Sequence, residues 1–173
     1  MSEELVDIVD ESNKVLGKMS KGECHKTGNL HRTVSILVYS PSKEVLLQRR
    51  SPEKKDYPGY YDVSASGHVM SGESYLTAAI RELKEEVGLD ADPQKLKENF
   101  DFRIYFENRG SKFNDFVRCF SYDLDNPKKV KVGEEVQEAR FMTSEEAMGI
   151  SEKGQFTPTA LKALQLAKIV ETT

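Results

Sequence analysis

Several things are scarce in this 173-residue chain, and each scarcity closes a class of function. No apolar run approaches the roughly 20 residues that a membrane-crossing helix needs. The N-terminus, MSEELVDIVDE, is acidic and leads into no apolar segment, so a secretory leader is not expected. Basic residues do not outnumber acidic ones: 25 Lys and Arg stand against 29 Asp and Glu, giving a net charge of −4. Broad binding of a nucleic-acid polymer wants a basic field, and this balance excludes it. Only Cys24 and Cys119 are present, with no CxxC, so free thiols in a reducing cytoplasm are expected rather than a disulfide framework. Tryptophan, internal repeats and low-complexity linkers are all missing. What remains, at 38% apolar residues, suits one globular domain over residues 1–173 with a real core.

Residues 5–9 and 15–16 read as an N-terminal hairpin turning at ESN, within an extension of about residues 1–32 whose stretch 21–31 is polar and loop-like. Alternating, β-branched residues predict strands over 33–39, 44–49, 60–66 and 136–142. Residues 100–107 and 116–124 predict a hairpin across 108–111. Thr143 and Glu146 form a capping-box pattern, and Thr157-Pro158 pairs an N-cap with a first-turn proline. The mixture predicts an α+β fold, a mixed β-sheet covered by helices on both faces.

The stretch 67–89, GHVMSGESYLTAAIRELKEEVGL, carries the chemistry. Its apolar residues Leu76, Ala79, Ile80, Leu83 and Val87 recur at helical period and predict a helix over 74–87, ended by Gly88. Glu82, Glu85 and Glu86 fall three and four apart, on one helix face separate from that stripe. Like charges so close repel one another, and a compact set of hard oxygen ligands suits Mg²⁺ or Mn²⁺ held together with substrate phosphates. A bare ExxEE is more often a solvated face. The glycines at both ends, and Arg81 placed to steer a carboxylate, favour a site.

The segment resembles the Nudix box, G-x5-E-x7-R-E-U-x-E-E-x-G-U with U aliphatic. Gly67, Glu73, Arg81, Glu82, Leu83, Glu85, Glu86, Gly88 and Leu89 match every fixed position. The resemblance implies a Nudix-type α/β/α sandwich with a loop–helix–loop over 67–89. It implies Mg²⁺-dependent (or Mn²⁺-dependent) hydrolysis of a nucleoside diphosphate linked to another moiety. Glu82, Glu85, Glu86 and the Gly67 carbonyl would hold metal, while Glu73 and Arg81 brace the loop and helix. Glu82 or Glu86 is the candidate base, with Glu134 and Glu135 as candidates from a later loop. Arg50 and Lys54, at and beyond the end of a strand, are the candidate diphosphate contacts. A small-molecule diphosphate is the expected partner, and a homodimer is left open.

A second likeness covers about residues 5–166. The chain is similar to the type 1 isopentenyl-diphosphate isomerases, whose metal-binding histidines correspond to His25, His31 and His68. The cysteine that family uses is Ser66 here, and its glutamate falls near Asp115. Cys119 lies too far along the strand to substitute. Those departures, with an intact box, rank hydrolysis above isomerisation. A non-catalytic nucleotide-sensing module is the third reading. Tyr57, Tyr60, Tyr61, Phe113 and Phe156 could each stack on a nucleobase, although a lone aromatic is more often a packing residue; the segment 57–60 lies nearest the expected mouth.

Overall fold

The computed structural model describes residues 2–172. In chain order the elements are β1 (Leu5–Val9), β2 (Val15–Ser20), α1 (Lys21–Thr27), β3 (His31–Tyr39), β4 (Val45–Arg50), β5 (Tyr61–Asp62) and β6 (Ala65–His68). There follow α2 (Tyr75–Val87), β7 (Lys97–Asn108), β8 (Ser111–Asp123), β9 (Val136–Met142), α3 (Ser144–Glu152) and α4 (Pro158–Leu166). The sheet is mixed: β3 runs parallel to β8 and antiparallel to β1, β4 and β6, while β9 pairs antiparallel with β4.

Alternation along β3 and β4 makes the two core layers, because successive side chains leave a strand on opposite faces. Val34, Ile36, Val38 and Leu46 pack with Ala78, Ala79, Leu83 and Val87 of α2. On the other face, Leu37, Val45 and Leu47 join Val117 and Cys119 of β8, Ala147 and Ile150 of α3, and Ala160 and Leu164 of α4. The result is the α/β/α sandwich. No helix among the described residues is long and apolar enough to cross a membrane.

The helix signals act as expected. Ser74 accepts from the Thr77 N–H to start α2, and Gly88 ends it in the left-handed region at φ 70°. Thr143 and Glu146 close a reciprocal capping box on α3, and Thr157 caps α4 ahead of Pro158. The β7–β8 hairpin is longer than its apolar pattern indicates. It closes through Arg109 (φ 47°) and Gly110 (φ 82°), the two left-handed residues of a tight hairpin turn.

Three expectations are corrected. The polar stretch 21–31 contains helix α1, capped by Ser20 and by left-handed Gly28. Only Cys24 of that helix is buried, so it carries no apolar period to read. The strand expected over 60–66 is two strands: β5 follows β4, and β6 follows β3. Between them the Ser64 hydroxyl accepts from the Val38 N–H and donates to the Leu46 carbonyl, replacing ladder bonds where the chain changes partner. Finally, the glutamates of α2 do not share a face separate from the buried one. Glu82 and Glu86 are 8% and 7% exposed, inside the buried face with Tyr75, Ala78 and Leu83, whereas Glu85 is exposed and Leu76 and Ile80 are only partly buried.

Candidate functional site

A cleft of about 610 Å³ opens where α2, the end of β6, the 51–60 loop, α1 and the β7–β8 hairpin meet. One wall is α2. Arg81 holds it to the loop before it: Nε and Nη2 donate to the two Glu73 oxygens at 2.9 and 3.0 Å, and Nη2 also donates to the His68 carbonyl at 2.8 Å. Nη1 reaches Glu82 at 2.7 Å and lies 3.5 Å from Glu85. Only a guanidinium presents enough donors in fixed directions to serve all of these acceptors. Glu73 also accepts from the Met70 N–H, which closes the loop.

Two glycines permit this packing. A Cβ on Gly67 would land within the Glu82 carboxylate, and one on Gly133 would land on the Glu85 carbonyl. Gly67 therefore makes room for a carboxylate as well as lining the cleft. Gly133 lets the segment before β9 lie directly on α2, with its N–H donating to the Glu86 carbonyl at 2.9 Å.

Burial sets the electrostatics. Desolvation pushes Glu86 up to about 8, and Glu82 adds repulsion; the bonds from Gln48 Nε2 and the Ser66 N–H, both 2.8 Å, pull the other way. Desolvation likewise pushes Glu82 up to about 7, against the pull of Arg81. Two carboxylates are thus buried with less positive charge than they need. Gln48 was not singled out from the sequence; the signal that marks it is its place one alternation beyond Leu46, on the strand face that packs under α2, where a polar residue needs a partner.

The second wall gathers residues far apart in sequence. Register places His31 opposite Asp115 and Thr33 opposite His68, while α1 brings in His25. Ligand nitrogens of His25, His31 and His68 all lie within 4.8 Å of one another, and the Nε2 atoms of His25 and His68 are 3.1 Å apart. His31 Nδ1 is 2.9 Å from the Asn29 carbonyl, an arrangement in which Nδ1–H donates and the Nε2 lone pair is left free. His31 Nε2 and Asp115 Oδ1 are 3.2 Å apart, yet each is buried without a hydrogen-bond partner. Desolvation lowers His25 to about 4 and His68 well below the usual range; it raises Asp115 to about 6.

Arg50 and Lys54 line the cleft but are engaged. Arg50 lies 3.3 Å from buried Asp62, and Lys54 lies 2.6 Å from Glu135. Glu135 lines the cleft and its charge raises Glu82, whereas Glu134 is exposed and outside it. The Lys54 ammonium holds Glu135 below the usual carboxylate range. Ser66 lines the cleft; Cys119 is buried in the layer under α3 and α4. Lys21, Asp56, Asp62 and Phe106 also line the cleft and were not singled out from the sequence, since only tertiary contact marks them.

The NUDIX domain model matches residues 29–165. The chain belongs to the Nudix family. A Pseudomonas aeruginosa protein described as an uncharacterized Nudix hydrolase is 36% identical over 164 residues, covering 94% of this chain and 92% of that one. Among solved structures, a Deinococcus radiodurans protein superposes with a TM-score of 0.68 at 23% identity, covering 89% of this chain and 92% of that one. The NUDIX domain of Shewanella oneidensis NrtR, solved with ADP-ribose, gives 0.62 at 12% identity over 79% and 85% of the two chains. This Nudix protein is a hydrolase acting on phosphoanhydride bonds, in a family that generally uses divalent metal ions.

Proposed function

We propose that the chain is a Mg²⁺- or Mn²⁺-dependent pyrophosphohydrolase that cleaves a nucleoside diphosphate linked to another moiety. The observation that carries this reading is the pair of buried, under-compensated carboxylates Glu82 and Glu86 beside exposed Glu85. A divalent cation fits that donor set, because hard oxygen donors with unbalanced negative charge are what such an ion requires. Glu82, Glu85, Glu86 and the Gly67 carbonyl would hold it. When bound, it supplies charge neutralisation for the phosphoryl oxygens and lowers the pKa of water.

The chain's own residues do the rest. Arg81 fixes the orientation of Glu82 and Glu73. Gln48 and the Ser66 N–H fix Glu86. Arg50 and Lys54 turn from Asp62 and Glu135 to the diphosphate, which frees Glu135 to accept the proton of the attacking water. Glu134, exposed outside the cleft, is the weaker of the two loop candidates. His25, His31 and His68 form a second cation site, supported by the unpartnered His31 Nε2 and Asp115 Oδ1. ADP-ribose in the Shewanella structure has the chemistry of the proposed substrate class.

The test is product analysis after incubation with nucleotide sugars, dinucleotides, nucleoside triphosphates and isopentenyl diphosphate, with Mg²⁺ or Mn²⁺. Release of a nucleoside monophosphate that disappears in Glu85→Gln supports the reading. The histidine cluster beside Asp115 favours a second reading, isomerisation; dimethylallyl diphosphate formed from isopentenyl diphosphate would establish it instead. Metal content after dialysis, wild type against His68→Ala, tests the histidine site.

A further inference from the structure

One end of the cleft is walled by aromatic rings that belong to none of the core clusters. Phe106 and Phe113 face each other across the β7–β8 hairpin, with centroids 4.7 Å apart and planes within 13°. Tyr57, from the 51–60 loop, meets Phe106 edge-on at 6.0 Å. Phe113 continues the row to His25 at 4.7 Å. All three aromatic side chains line the cleft and are half-buried, whereas Tyr61 and Phe156 pack into the layer under α3 and α4. Core packing therefore does not account for Tyr57, Phe106 and Phe113.

The wall is fixed in place. Tyr57 has a left-handed backbone at φ 50°, unfavourable for a residue with a Cβ and sustained only by surrounding contacts. Arg109 Nη1 donates to the Lys55 carbonyl at 3.2 Å, and Lys55 Nζ donates to Ser111 Oγ at 3.3 Å. These bonds tie the loop to the hairpin. Beside Tyr57, Asp56 also lines the cleft, and its Oδ1 is buried with no hydrogen-bond partner.

We propose that this end of the cleft is the nucleobase subsite. Tyr57, Phe106 and Phe113 supply the stacking face. An isoprenoid chain would also fill an aromatic pocket, but the flat, near-parallel rings of Phe106 and Phe113 suit a planar base, which stacks over its whole face. The inference rests on the pyrophosphohydrolase reading, which places the phosphates at α2.

The experiment is calorimetric titration of the full chain with Mg²⁺ and four probes. These are adenosine α,β-methylene diphosphate with its guanosine counterpart, methylenediphosphonate as the same phosphates without a nucleoside, and isopentenyl diphosphate. Wild type is expected to bind a nucleoside probe at least about tenfold more tightly than methylenediphosphonate. Phe106→Ala and Tyr57→Ala should each remove most of that advantage while leaving methylenediphosphonate affinity unchanged, which also shows that the variants fold. Equal affinity for nucleoside and bare probes, equal weakening of both in the variants, or a ring-dependent gain confined to isopentenyl diphosphate would overturn the subsite. Cleavage is read separately. Base-dependent binding without cleavage of any substrate supports the subsite and removes the hydrolase reading, and cleavage without base dependence does the reverse.

Discussion

Replacing Glu86 by Gln separates the two jobs of a buried carboxylate. In the fold its carboxyl is raised to about 8 from an ordinary 4.5, chiefly by desolvation. The native state therefore holds a proton there that the unfolded chain releases between those values. A group raised in this way stabilises fully below about pH 4.5, and that contribution drains away as pH climbs to about 8. At roughly 1.4 kcal/mol per tenfold, the whole interval sets an upper bound of about 5 kcal/mol; coupling to Glu82 and local relaxation reduce it to a few. Because His25 and His68, held neutral by burial, oppose this slope equally in both proteins, the wild type is read against Glu86→Gln: from pH 5 to 8 the metal-free wild type should lose a few kcal/mol relative to the variant, and Mg²⁺ should restore it by mass action. The amide cannot accept from both Gln48 and the Ser66 N–H without one of them turning away, so about 1 kcal/mol should be lost at pH 5. Above pH 8 the variant should be the more stable of the two without metal, and inactive. Urea unfolding across pH 5–9, with and without Mg²⁺, reads all of this. A wild-type advantage over Glu86→Gln that stays constant or grows between pH 5 and 8, without metal, would refute the reasoning.

Arg81→Lys should lower turnover by about a hundredfold or more, since one ammonium cannot serve Glu73, the His68 carbonyl and Glu82 together; steady-state kinetics and unfolding midpoints check it. Gly67→Ala should displace the Glu82 carboxylate, so Mg²⁺ affinity measured by calorimetry should fall more than tenfold while the circular dichroism spectrum is kept. Thr143→Ala removes one half of the α3 capping box and should cost about 1 kcal/mol, with kcat unchanged.

Much of the sheet could be read from the chain because β3 and β4 are short, apolar runs buried on both faces, and because capping residues such as Thr143 and Thr157 act locally. Helix α1 was missed since its one buried residue, Cys24, gives no period. The break at Ser64 was missed because a hydroxyl that substitutes for ladder bonds leaves no trace in hydropathy. Within the site, the spacing of Glu82, Glu85 and Glu86 was legible, but their unequal burial was not: it depends on Gln48 and Gly67, which other strands supply. The meeting of His25, His31 and His68 followed from resemblance; the register of β3 against β6 and β8 supplies its physical cause. Phe106 was indistinguishable from a packing residue until Tyr57 came to lie against it.

The parallel pairing of β3 with β8 also dictates a timetable. His31 waits for Asp115, roughly 80 residues further along, and closing so long a loop is slow compared with forming α2 from neighbouring residues. During synthesis His25, His31, His68 and α2 all emerge before β8, so the glutamate-bearing helix can form while the β7–β8 hairpin at the far end of the cleft does not yet exist. The proposed histidine site lacks Asp115, the carboxylate set beside His31 Nε2, until β8 has docked. A chain arrested before that strand would hold an unclosed cleft, so closure of the cleft is a late report on folding.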